Sequence, residues 1–275
     1  MKRIFLLLFL FAITDAGFAQ YSAMTYNIRY STTNDGPNWW ENRKEWVADL
    51  VNYNAPDVLG IQEGLDSQVQ FLDSALTTYN FVGVGRDDGK KKGEYSAVFY
   101  NAKKLDVMES GTFWLSETPD QVSVGWDASM ERVSTWAKFR NKSTGEQFWV
   151  FNAHLDHIGP GSRLQALKLI HQKTEEKNTE HLPVLVMGDF NATPDAPPIQ
   201  FLSSKLNDSR EISITKPYGP WGTFNAFDVA SPLESRIDYI FVNEKVTVQK
   251  YAAISEVRKN LSPSDHLPVF IHFEF

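Results

Sequence analysis

The stretch LPVLVMGDFNATPD, residues 182–195, decides how the rest of the chain is read. Its apolar first half has the length and character of a strand buried on both faces. At Gly188 the run stops, and the chain presents Asp189, Phe190, Asn191, Thr193, Pro194 and Asp195. Folding alone does not require an acid and an amide two residues apart at the end of a buried strand. In open α/β sheets, however, ligands bind outside such strand ends, so the polar residues that close an apolar run are the informative ones.

The same pattern recurs outward from this stretch. YSAMTYNIRY (21–30) alternates with the period of a strand, WWENRKEWVADLVNY (39–53) carries apolar residues at helical spacing until Pro56, and DVLGIQE (57–63) reads as a buried strand. A helix through Val69, Leu72 and Leu76 leads to two further strands, YNFVGVG and EYSAVFY, around the Lys-rich loop 86–93. The middle is β-rich: LDVMESGTFWL, then RVSTWAKFRN turning at KSTGE into QFWVFNAHL, with Gly145 in the turn. A helix over 161–178 precedes the opening strand, and RIDYIFV (236–242), VTVQKYAAISEV (246–257) and LPVFIHF (267–273) supply the last strands. The mixture predicts an α/β fold of two mixed sheets packed face to face with helices outside.

Residues at the ends of these runs are Asn27, Glu63, His154 with Asp156, Asp189 with Asn191, Asp238, and Asp265 with His266. Singly, most have a plain structural reading: a bulge for Asn27, a loop start for Glu63, a satisfied turn for His154 or Asp156, a cap for Asp265. Asp238 differs, because a carboxylate inside RIDYIF needs a cationic or donor partner. If the strand ends converge, four carboxylates gather against two imidazoles. Like charges about 4 Å apart repel by about 4 kcal/mol at an effective dielectric near 20, so such a cluster calls for a cation. Oxygen donors without cysteine select a hard ion, Mg²⁺ ahead of Mn²⁺ or Ca²⁺, and that ion suits phosphoryl chemistry.

Six segments in this order, TYNIR, VLGIQEG, NAHLDH, GDFNATPD, RIDYIF and SDHLPV, resemble the motifs of the endonuclease/exonuclease/phosphatase superfamily. The likeness is nearest to its deadenylase-like branch and to secreted bacterial members. It implies a four-layer α/β sandwich of the deoxyribonuclease I kind and a Mg²⁺-dependent phosphoester hydrolase, whether nuclease, phosphodiesterase or phosphatase. It further implies that Glu63, Asn27 and Asp265 hold the metal, and that Asp189 activates the attacking water while Asn191 holds that water or a phosphate oxygen. His266 would donate to the phosphate with Asp238 fixing its ring, and His154 would bind phosphate or assist the leaving group. Glu94 resembles the glutamate that pairs with this histidine.

Substrate contacts beyond these are expected from Arg132, Asp156, His157 and Arg163, since guanidinium forks fit phosphate. Lys90, Lys91 and Lys92 read either as a second phosphate site or as a solvated turn. Trp39, Trp40, Trp126 and Trp221 read either as stacking platforms or as packing. Two rivals accompany the hydrolase reading. A sphingomyelinase-like lipid phosphodiesterase would need an exposed apolar hairpin, for which GTFWLSETP is the candidate. A non-catalytic binding protein on the same fold would have lost metal or water-activating residues.

Charge narrows the substrate and the N-terminus sets the compartment. The formal charge of −7 argues against long duplex DNA, whose binding relies on many Lys and Arg contacts, and favours a small or short phosphoester. Lys2 and Arg3 followed by the apolar run 4–13 and by Gly17 and Ala19 read as a signal peptide over 1–19, ahead of one domain over 20–275. No membrane span is expected after cleavage, and the mature chain is expected to be a monomer. The glycosylation signal Asn191-Ala192-Thr193 falls on a site residue, which favours a bacterial periplasm or exterior. Expressed in a host with a general export pathway, the mature protein should begin at Gln20, a boundary that N-terminal sequencing reads directly.

Overall fold

Tyr21–Asn27 (β1) is buried throughout and sends alternate side chains into different interiors. Tyr21 and Ala23 enter an apolar layer between two sheets, whereas Met24 and Tyr26 enter a second layer beneath helices. The computed structural model describes residues 20–275, so the signal peptide expected over 1–19 lies outside the described residues. After β1 come α1 (Trp40–Asn54), β2 (Val58–Gln62), α2 (Asp66–Ala75), β3 (Tyr79–Val82), β4 (Val98–Asn101), β5 (Leu105–Trp114), β6 (Val133–Asn141) and β7 (Gln147–His154). The chain continues through α3 (Pro160–Lys177), β8 (Val184–Asp189), α4 (Pro197–Ser203), β9 (Asn207–Asp208), β10 (Asp238–Val242), β11 (Thr247–Ala253) and β12 (Val269–Glu274).

One sheet runs β11-β12-β1-β2-β4-β3 and the other β5-β6-β7-β8-β10-β9. The inter-sheet layer is apolar, with Val58, Phe139, Phe148, Leu185, Ile240 and Ile271 fully buried in it. Beneath the first sheet, Val47, Val51, Val69 and Leu72 of α1 and α2 cover Leu59 and Phe99. Beneath the second, Leu167, Ile170 and Ile199 of α3 and α4 cover Phe151, Val186 and Phe241. The result is the four-layer α/β sandwich, two mixed β-sheets flanked by helices, that the sequence predicts.

Each sheet contains one parallel pair, β1 with β2 and β7 with β8. Parallel neighbours deliver their C-terminal ends to the same edge. In the second sheet β10 is antiparallel to β8 with Asp238 directly opposite Asp189, so its first residue meets the last residue of β8. In the first, β12 is antiparallel to β1, which returns the residues just before it to the same edge. The rough twofold recurrence of polar strand ends follows from this topology.

Two close approaches hold the edge in place. Gly188 has φ 146°, and a Cβ there would overlap the Ala153 carbonyl of β7. Gly60 leaves room for Asn152, whose amide donates to the carbonyls of Ile61 and Ala97 at 2.9 Å each and accepts from Gln62 Nε2 at 2.7 Å. Gln62 also donates to Thr25 Oγ1 at 3.0 Å, so a small polar clamp joins β7 to β1 and β2 through an otherwise apolar layer.

Several expected boundaries move. The first strand stops at Asn27 because Arg29 takes a left-handed φ of 56°. EYSAVFY is a strand only from Val98, and Tyr95 instead makes isolated bridges to Gly64 and Gly85. GTFWLSETP is no membrane hairpin: Phe113, Trp114 and Leu115 are buried, so the segment has no apolar tip to insert. Short α4 and β9 follow GDFNATPD without a clear sequence signal.

Replacing Asn152 with Leu would take one donor each from the Ile61 and Ala97 carbonyls and one acceptor from the Gln62 amide in a dry layer, although the Ala97 carbonyl keeps the Ile61 N–H and the Gln62 amide keeps Thr25 Oγ1. A buried polar group short of a partner costs about 1–3 kcal/mol. The substitution should therefore lower stability by about 1–3 kcal/mol in urea unfolding, with the slope unchanged.

Candidate active site

Asn27, the last residue of β1, is fully buried and its amide spans the two sheets. Nδ2 donates to Glu63 Oε1 of the first sheet at 3.1 Å and to Asp189 Oδ2 of the second at 2.9 Å. Glu63 follows β2 directly and holds a left-handed φ of 63°, an uncommon conformation for a non-glycine residue. Its Oε2 accepts from the Tyr30 backbone N–H at 3.1 Å and lies 3.8 Å from Arg29 Nη1. Asp265 comes from the turn before β12, where the Ser264 hydroxyl ties the turn to the Asn27 carbonyl at 2.6 Å.

On the second sheet Asp189 is 1 % exposed. Asn191, at φ 47°, curls back so that its backbone N–H donates to Asp189 Oδ1 at 2.9 Å. His266 lies between two acids: Nδ1 meets Asp238 Oδ2 at 2.9 Å and Nε2 faces Asp189 Oδ2 at 3.7 Å. Asp238 is fully buried and takes the Thr223 hydroxyl on its backbone N–H, so it supports the ring from behind the cleft. His154 ends β7 and its Nε2 accepts from the Asn191 amide at 3.1 Å. The imidazole proton therefore sits on Nδ1, which has no protein partner and lies 3.8 Å from Glu94 Oε2.

These groups open into one cleft of about 500 Å³ lined by Glu63, Asp265, Asp189, Asn191, His154 and His266, with Glu94, Arg132 and His157 further along. Burial pushes the Asp189 carboxyl up to about 7, against the pull of His266. Burial opposes charge on His266 too, yet Asp238 and Asp189 outweigh it and hold the imidazolium well above the usual range. His154 goes the other way: burial, with Arg132 and Arg86 nearby, keeps it neutral. Asp265 is raised, first by burial and then by Glu63.

Two sequence expectations need correction. Asp156 does not reach the cleft, because its carboxylate is consumed by the Ser129 hydroxyl at 2.7 Å and by the backbone N–H groups of Ile158 and Gly159 at 3.0 and 2.7 Å. Although burial resists its charge, those donors bring its carboxyl down to about 2. Arg163 donates to the Asp156 carbonyl at 2.9 Å and borders a separate, mostly apolar hollow across Asn191 and Ile237. The lysines of loop 86–93 also stand outside the cleft, and Arg86 enters it instead, pairing with Glu94 at 2.6 and 3.1 Å. Arg29, Tyr30, Met130 and Phe224 line the cleft as well, without a signal in the sequence beyond the adjacency of Arg29 to Asn27. Trp39 and Trp40 pack against the first helical layer, and Trp221 stacks on Arg210 and Arg236 away from the cleft.

Asp189, Asp238 and His266 alone are close enough to share an ion among the described residues, but both His266 nitrogens already face carboxylates. A protonated imidazole has no lone pair for a metal. The better fit is at the other end: Glu63 and Asp265 line the cleft, repel one another, and bring oxygen donors only, with Asn27 beside them. That donor set suits a hard divalent cation.

The model of the Endonuclease/Exonuclease/phosphatase family matches residues 24–266. An endonuclease/exonuclease/phosphatase structure from Bacteroides vulgatus is 37% identical, with a TM-score of 0.90 over 94% of this chain and 99% of that one. A mannosyl-6-phosphatase from Bacteroides thetaiotaomicron is 38% identical, with a TM-score of 0.88 over 93% of this chain and 100% of that one. The Ccr4 exoribonuclease subunit of the CCR4-Not complex from Mycosarcoma maydis is 21% identical over 94% of this chain, which spans 51% of that protein.

Because Asp238 heads the influences that raise His266, Asp238→Asn should bring its titration down. The expected record is an imidazole resonance that stays protonated through neutral pH in the parent protein and titrates earlier in the variant, followed by NMR.

Proposed function

The chain belongs to the endonuclease/exonuclease/phosphatase family of phosphoester hydrolases, and from that premise we propose a divalent-metal-dependent phosphomonoesterase acting on a small substrate. The observation that carries the proposal is the meeting, through Asn27, of Glu63 on one sheet with Asp189 on the other, beside an imidazolium clamped by Asp238. Glu63, Asp265 and Asn27 would hold the ion, Mg²⁺ ahead of Mn²⁺ or Ca²⁺. When bound, the ion would offset the charge that develops on the phosphoryl oxygens.

Asp189 accepts the proton of the attacking water. Its carboxyl, raised to about 7 by burial, is basic enough for that transfer near neutral pH, and the donors from Asn27 and Asn191 fix its two oxygens. His266 donates from Nε2 to an equatorial phosphoryl oxygen, and Asp238 on Nδ1 keeps the ring oriented and charged. Neutral His154, oriented by Asn191, offers its free Nδ1–H to the phosphate or the leaving oxygen. Attack is in line, with the leaving group opposite the water, and needs no covalent intermediate.

The size and charge of the site support a small monoester. A cleft of about 500 Å³ suits a single phosphorylated metabolite, and a chain of formal charge −7 has little to offer a long polyanion. The mannosyl-6-phosphatase at 38% identity supports a sugar phosphate over a diester. The lipid phosphodiesterase loses its supporting hairpin, and the binding-protein rival is disfavoured because Glu63, Asp265, Asp189 and Asn191 all line the cleft, with Asn27 buried behind them and bonded to Glu63 and Asp189. Export as a monomer to a bacterial periplasm or exterior, with Gln20 at the mature N-terminus, is part of the same proposal. Among the described residues no helix is long and apolar enough to cross a membrane.

The test is a panel of sugar phosphates, nucleotides, inositol phosphates, short oligonucleotides and sphingomyelin with Mg²⁺ or with EDTA. Sugar monophosphates should be turned over with Mg²⁺ and spared with EDTA, and Asp189→Asn or His266→Ala should cut kcat by roughly a hundredfold or more without unfolding the protein. Activity that persists in EDTA overturns the metal dependence, and oligonucleotides as the best substrates overturn the phosphomonoesterase.

A further inference from the structure

Beyond the catalytic groups, the far wall of the cleft carries Arg86 and Arg132, and neither is a free cation. Arg86 is held by Glu94 at 2.6 and 3.1 Å, and Arg132 by Asp156 at 3.4 Å. Each guanidinium nevertheless keeps one buried nitrogen without a protein partner, Nε of Arg86 and Nη1 of Arg132. Buried N–H groups in native proteins almost always find an acceptor, and these two belong to side chains that line the cleft, with Asp87 Oδ1 3.7 Å from Arg86 Nε.

His157 completes the wall. Arg132 Nη2 lies 2.9 Å from its Nδ1. A guanidinium can only donate, so Nδ1 accepts and the neutral ring carries its proton on Nε2, on an exposed side chain that lines the cleft. The wall thus presents oriented N–H donors with the guanidinium charges already balanced by Glu94 and Asp156.

Charge balance decides what such a wall recognises. A second phosphate would surrender its hydration and meet no net positive charge in return. A hydroxyl is neutral and both donates and accepts, so it can take an arginine N–H and return its own proton to a carboxylate edge such as Glu94. Resting on the phosphomonoesterase reading above, we propose that Arg86, Arg132 and His157 are the specificity-determining residues for a polyhydroxylated sugar ring bearing a single phosphate. A sugar ring with vicinal hydroxyls is the ligand class, shared by hexose and pentose phosphates, and a bisphosphorylated sugar is disfavoured.

The experiment compares kcat/KM of the Mg²⁺-loaded protein for hexose 6-phosphates, ribose 5-phosphate, propyl phosphate and a hexose 1,6-bisphosphate. Either sugar monophosphate should exceed propyl phosphate by about tenfold or more, and the two sugars separate hexose from pentose recognition. The bisphosphate should be the poorer sugar substrate. Arg132→Gln and His157→Phe should each shrink the sugar-to-propyl ratio by about tenfold. A ratio unchanged in both variants, or a bisphosphate preferred to its monophosphate, overturns the proposal.

Arg132 supports a buried carboxylate, so its variant can fail to fold, and a wild-type series removes that dependence. Singly deoxygenated hexose 6-phosphates should lose about tenfold in kcat/KM at one or more ring positions, and no loss at any position overturns the proposal. Hydrolysis of all monoesters without sugar preference defeats this inference alone. Absence of any metal-dependent phosphomonoester hydrolysis defeats the function on which it rests.

Discussion

Burying Asp189 beside a second acid is the constraint on which the site depends. A carboxylate that is 1 % exposed, opposite Asp238 in the strand register, would discharge or push the strands apart without a cation between them. His266 supplies that cation, with Asp238 at 2.9 Å on one ring nitrogen and Asp189 at 3.7 Å on the other. The pair of acids raises the imidazole, and the imidazolium in turn makes the acids tolerable. Removing the imidazole leaves two carboxylates facing one another in a dry place, and removing either acid takes away part of what keeps the ring charged.

That mutual dependence explains why the strands must arrive in register. A slip of β10 by one residue would turn Asp238 to the opposite face of the sheet. Gly188 brings the end of β8 against β7 where a side chain would collide with the Ala153 carbonyl. Across the molecule, the clamp of Asn152, Gln62 and Thr25 fixes β2 relative to β7. Glu63 follows Gln62, and His154 lies two residues beyond Asn152. The polar contacts within the apolar layer are therefore the ones that set the distance between the two halves of the cleft.

Residues at either end of the strands were legible in the sequence because position along an apolar run predicts position at the sheet edge. Asn27, Glu63, His154, Asp189, Asp238 and His266 all follow that rule. Asp156 obeyed the same rule and proved structural, since an acid just past a strand can equally cap the turn that follows, as its bonds to Ile158 and Gly159 show. Arg86 escaped notice beside three lysines in one loop. Charge content identifies a polar loop but not which side chain turns inward, and here the pairing with Glu94 made that choice. Tyr30 and Phe224 were invisible for the same reason: loops place them.

The division between strand-borne and loop-borne residues has a chemical logic. Groups that exchange protons or hold an ion must be positioned within tenths of an ångström, and strands in two clamped sheets provide that rigidity. The wall of Arg86, Arg132 and His157 belongs to loops and strand margins, and its carboxylates balance its guanidiniums locally. The paired arginines are still felt at the nearer strand end, where they help burial keep His154 neutral, whereas an unpaired arginine beside Asp189 would compete for it and lower its carboxyl. Substrate recognition can then be altered at loop residues that leave this charge pairing in place, without retuning the proton balance at the strand ends. Shared chemistry with variable substrates is what such a separation permits, and the paired charges on the wall are its physical basis.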